Sequence, residues 1–105
     1  MTQFDERERA FENKFAHDQE MMFRAMARRN KMAGLWAAEL LGKKGEEAEE
    51  YAMNLVRADI YEINRGDLAT RLAADLGHRI DESEIRAKIA EFHARAKAEL
   101  LSEAD

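Results

Sequence analysis

Few side chains in this sequence are of a kind and spacing that do chemistry. His17, His78 and His93 are scattered, and no Glu-x-x-His motif of a di-iron helical bundle occurs. Asp75-x-x-His78 comes nearest, but Gly77 interrupts it with a helix-ending residue. The absence of cysteine excludes disulfide frameworks and thiolate metal sites. Gly42-Lys43-Lys44-Gly45 is a candidate nucleotide-binding turn, since backbone N–H groups and two lysines meet where a helix begins. It lacks the spacing and the preceding strand of a P-loop, and a helix C-cap followed by a new helix start explains it more simply. No catalytic constellation emerges, and no metal or other cofactor is expected.

The phenylalanines point instead to binding. At about 100° per residue, Phe4, Phe11 and Phe15 fall in a wedge roughly 60° wide, which Met22 and Met26 extend. Around them stand interleaved charges, among them Asp5, Arg7, Glu8, Arg9, Glu12 and Lys14. So narrow a stripe suits a helix laid into a partner's groove. A membrane-surface helix would carry a predominantly basic polar face. Folding of the stripe back onto the rest of the chain is the competing reading. Thr2 with Asp5 forms a capping-box pattern for the start of this helix.

The elements that must carry these residues are helical. The 105 residues include no proline and one valine, Val56, with 46% hydrophobic and 37% charged residues. A net charge of −5 argues against nucleic acid as the main partner, and the basic turn Arg24–Lys31 is flanked by acids. No apolar run reaches the length of a membrane span, and the acidic N-terminus resembles no targeting peptide, so a cytoplasmic location is expected. The periodicity predicts one long helix from about Asp5 to Leu41, capped by Gly42. A second follows from Gly45 to Asn64-Arg65-Gly66. A short third carries Leu68, Leu72 and Leu76, with Asp67 as N-cap. Asp81 with Glu84 opens a fourth, striped by Ile85, Ile89, Phe92, Ala96 and Leu100, with Ile80 as a staple. The expected fold is all-α: a small four-helix bundle over residues 19–105, closed without residues 1–18. That first segment offers little to bury and is expected to be mobile in the free protein. Met21, Met22, Met26, Met32 and Trp36 are most simply bundle core.

Three stretches carry a family resemblance. They are Phe4-Asp5-Glu6-Arg7-Glu8-Arg9-Ala10-Phe11-Glu12-Asn13-Lys14-Phe15-Ala16-His17-Asp18, Ala27-Arg28-Arg29-Asn30-Lys31, and Gly34-Leu35-Trp36-Ala37-Ala38-Glu39-Leu40-Leu41-Gly42. Together they resemble the zeta subunit of the alphaproteobacterial F-type ATP synthase. The resemblance is close through residue 42 and looser beyond. It implies a non-enzymatic inhibitory subunit whose N-terminal segment becomes helical within a catalytic α/β interface of the synthase head and reaches toward the central-stalk γ subunit. Rotation in the hydrolytic direction would be blocked, in a mode similar to that of the mitochondrial inhibitor protein. On that reading Phe4, Phe11 and Phe15 are apolar anchors. Arg7, Arg9 and Lys14 meet carboxylates of the partner, and Asp5, Glu8 and Glu12 meet its basic groups. The chain would associate with the membrane-bound enzyme through its head, without inserting into the membrane itself. The alternative is a small helical regulatory protein that binds an adenine nucleotide or another ligand at Gly42–Gly45.

Overall fold

The structure, a computed structural model, describes the backbone of residues 3–61 and 67–104 and the side chains of residues 6–58 and 67–104. The predicted caps at Thr2 and Asn64-Arg65-Gly66 lie outside the described residues. The described chain is all-α. It runs α1 (Gln3–Phe15), α2 (Gln19–Leu40), α3 (Gly45–Tyr61), α4 (Leu68–Leu76), a 3-10 turn (Gly77–Arg79) and α5 (Glu82–Ala104).

The first helix expected from the periodicity is two. Ala16, His17 and Asp18 interrupt it, with Asp18 in an extended conformation, its carboxylate accepting the Met21 N–H at 3.1 Å. An aspartate favours an N-cap over a helix interior, because its short side chain reaches the orphan donors of the next turn. A continuous phenylalanine–methionine stripe concealed this stop. The described residues therefore form one α-helix more than the four expected.

The caps at Gly42 and Asp67 hold, but Met26, expected in the core with Met21 and Met22, is 39% exposed, because the smaller apolar cluster those two border does not reach it. At the end of α2, Lys43 N–H donates to Ala38 C=O and Gly42 N–H to Glu39 C=O, a Schellman motif. It places Gly42 at φ 79°, where a side chain would be strained. Asp67 caps α4, accepting from the Thr70 N–H and hydroxyl at 2.9 and 2.7 Å. Its other oxygen takes Arg86 of α5 at 3.0 Å. These donors, the Thr70 hydroxyl first, hold the Asp67 carboxyl down to about 2.

The main core joins α2, α3, α4 and α5. Leu55, Leu68, Leu72, Leu76, Ile85 and Phe92 are buried there, with Trp36 set edge-on to Phe92 at 6.2 Å between ring centroids. Tyr51 ties α3 to α4 by donating to Asp75 at 2.7 Å. Small buried residues such as Ala33, Ala37 and Ala52 line the helices here, and α2 and α3 approach closely at Gly34. A Cβ built on Gly34 would stand 2.7 Å from the Ala52 Cα. Alanine is a better helix former than glycine by about 1 kcal/mol. Here that gain is outweighed, because backbone must move to admit the methyl group. Gly34→Ala should therefore destabilise the protein by about 1–3 kcal/mol in urea denaturation, and a stabilised variant would contradict this close crossing.

Candidate functional site

The phenylalanine-bearing helix packs on the surface of α5, with a smaller contact to α2. Phe11 is fully buried there, in a second apolar cluster with Ala25, Leu100 and Leu101, which Phe15, Met21 and Met22 border. The Phe11 and Phe15 rings lie 4.9 Å apart and tilted by 54°. The Phe15 ring also carries the Lys14 ammonium at 5.4 Å. The expected presented segment is thus a docked helix. Its stripe is short of apolar area alone, but the end of α5 supplies a matching surface.

The polar side of this contact converges on Lys97. Its ammonium, on a residue only 4% exposed, donates to Glu12 at 2.7 Å and to Glu8 at 3.3 Å, two carboxylates one helical turn apart. Arg7 donates to the Ser102 hydroxyl farther along α5. The Lys97 hydrogen bond, then its charge, lowers the Glu12 carboxyl below its ordinary value. His93, one turn before Lys97, is half-buried, and its Nδ1 has no hydrogen-bond partner. Burial first, then Lys97 and Arg29, push this imidazole down to about 4, while Glu12 pulls the other way. The ring is therefore neutral near pH 7.

The residues read from the sequence divide between two faces of α1. Phe11, Glu8, Glu12, Arg7 and part of Phe15 meet the body, whereas Glu6, Arg9, Ala10, Asn13 and Lys14 are turned outward or exposed. The side chains of Phe4 and Asp5 lie outside the described residues. Lys97 was missed, and His93 stood out only as one of three scattered histidines. The signal for them was a second face on α5, where Ala98 and Leu101 are buried off the Ile85–Leu100 stripe.

The other candidates have local explanations. The N–H groups of Gly42 and Lys43 are spent on the Schellman motif, and Lys43 pairs with Glu47 at 3.1 Å and covers the Tyr51 ring. Lys44 and Gly45 are exposed, and Gly45 begins α3 at φ 56°. In the basic turn, Arg28 reaches Glu99 at 3.2 Å and Glu103, fastening α2 to α5, and Arg24 pairs with Glu20. Among the described residues no group of three or more His, Cys, Asp or Glu side chains is placed to hold a metal ion. No described helix is long and apolar enough to cross a membrane.

The sign of the pH dependence follows from His93 and Glu12. The neutral imidazole is favoured in the fold, so its contribution is complete above pH 6.5 and is lost as pH falls through 4. The Glu12 carboxylate adds stability above its ordinary value of 4.5 that is lost on further acidification. Denaturation between pH 7 and 4 should show falling stability. His93→Gln should flatten the slope above pH 4.5 by about 1–2 kcal/mol, discounted for partial exposure, and leave the drop below it. Parallel profiles for the two proteins would exclude His93 as the source.

The family model described as ATPase inhibitor subunit zeta matches residues 1–99. A chain of similar structure, solved by solution NMR, is 47% identical with a TM-score of 0.68, over 79% of this chain and 98% of that chain. No curated protein matches. The family match runs from the docked helix through most of α5, and the chain belongs to the ATPase inhibitor subunit zeta family.

Proposed function

We propose that the chain is an inhibitory subunit of the F-type ATP synthase and that α1, with the residues just before it, is the inhibitory element. In this reading residues 19–105 form a four-helix holder. Residues 1–18 leave it and lodge as a helix in a catalytic α/β interface of the head, reaching toward the γ subunit. There the helix blocks rotation in the hydrolytic direction. The action is one of binding, carried out on the cytoplasmic side with the membrane-bound enzyme, and the chain contributes no catalytic step of its own.

The observation that carries this reading is the composition of α1 joined to the family match. Its apolar side chains lie on one face, flanked by Arg7, Glu8 and Glu12, and its outer face offers Arg9 and Lys14. A cleft that closes around the helix engages its whole circumference, and the body leaves Glu6, Ala10 and Asn13 exposed. That difference supplies a driving force for transfer, since Phe11 is buried in either place and gains little by the exchange. The three residues 16–18 between α1 and α2 then serve as the joint on which α1 swings.

ATP hydrolysis by the purified catalytic head tests this. The full chain should inhibit, and a chain lacking residues 1–18 should not. Phe11→Ala and Phe15→Ala together should weaken inhibition. The loss should fall below the roughly 1.5–3 kcal/mol per ring expected for lost burial, since the same change frees α1 from the body. Equal inhibition by the truncated chain would move the inhibitory site to the helices of residues 19–105.

A further inference from the structure

The face of α1 that holds the apolar anchors is the face already occupied. Phe11 is buried against Leu100 and Leu101, and Glu8 and Glu12 share the Lys97 ammonium. The outer face offers Glu6, Arg9, Ala10, Asn13 and Lys14, with no large apolar residue among the described side chains. A partner that takes α1 by its anchors must therefore displace α5 first. The titratable and charged groups near Lys97 are Glu8 and Glu12 from α1 and the His93 imidazole of α5, neutral near pH 7, which Arg29 of α2 also faces. Of these, only the two α1 carboxylates are hydrogen-bonded to the Lys97 ammonium.

Resting on the inhibitory reading above, we infer that Lys97 is a latch, and that the end of α5 is an internal stand-in for the partner's groove. The partner then presents a lysine or arginine of its own between Glu8 and Glu12, beside an apolar slot for Phe11. Self-docking and inhibition exclude each other, and Lys97 sets the balance between them. The apparent affinity of α1 for its target is reduced by the fraction of molecules in which α1 is docked. The latch is reversible because Lys97 lies at a helix–helix seam that opens to water. When α1 departs, the ammonium regains hydration and is not left as a buried, unpaired charge.

Two variants test the latch on the full chain, Lys97→Gln and the double change Glu8→Gln with Glu12→Gln. The Leu100 and Leu101 methyl resonances, shifted by the Phe11 ring, report docking by NMR. Trp36 emission reports that the body stays folded. Both variants should release α1. Against the catalytic head, Lys97→Gln should inhibit at about tenfold lower concentration, because the docked competitor is gone. The glutamine pair should release α1 as well and yet lose potency, because the partner's basic group finds no carboxylates. Docking that survives Lys97→Gln, or release that brings no gain in potency, would overturn the latch. Equal gains from both variants would overturn the stand-in. If no form inhibits, the inhibitory reading fails, and the methyl shifts still decide whether Lys97 holds α1.

Discussion

An ammonium group withdrawn from water between two carboxylates fixes where α1 lies. Phe11 alone would bury nearly as much surface at several registers along α5, since hydrophobic contact has little directionality. Lys97 has no such latitude. It must meet Glu12 at 2.7 Å and Glu8 at 3.3 Å while Phe11 seats on Leu100 and Leu101, and one placement satisfies all of these. Buried ion pairs stabilise little in net terms, because desolvation offsets attraction, and their value lies in specifying position. Here the pair specifies the docked helix, and through it the solvent shielding of His93.

The two apolar clusters differ in kind. The main core ties α2, α3, α4 and α5 through large side chains and the Trp36–Phe92 pair. The second is smaller, draws one fully buried large ring from α1, and is bordered by the adaptable side chains Met21 and Met22. Because α1 is joined to the body through this separate cluster and a three-residue link, it can leave without opening the main core. That asymmetry is what an inhibitory element needs: a structured resting place that does not have to unfold before the element can leave.

Much of this was legible in the sequence. The glycine at 42, Asp67 before a leucine-spaced run, and the stripe Ile85–Leu100 each announced their elements, because caps and periodicity are local properties. Asp18 was an equally local signal, overridden by a stripe that continued in phase through Met22 and Met26. The docking of α1 was harder to read. It depends on Lys97, which on a helix wheel is an ordinary surface lysine. Only the proximity of Glu8 and Glu12, some 85 and more residues away in the chain, makes burial of its ammonium tolerable. Likewise Ala98 and Leu101 look like incidental apolar residues until α1 covers them. The stripe on α1 is periodic, but periodicity within one segment does not say which other segment will cover it.

The central claim is that the face of α1 now resting on α5 is the face that acts, so that α1 must leave in order to inhibit. The most direct measurement fixes it in place. The chain has no cysteine, so cysteines placed at Arg7 and Ser102, whose side chains meet across the reach of the arginine, can be joined by a reducible bis-maleimide linker of about that length to tether α1 to α5. ATP hydrolysis by the catalytic head would then be followed with this protein cross-linked and after the linker is cleaved by reductant. The account predicts no inhibition from the tethered form and inhibition on adding reductant. Equal inhibition from both forms would show that α1 acts without leaving α5, and would contradict it.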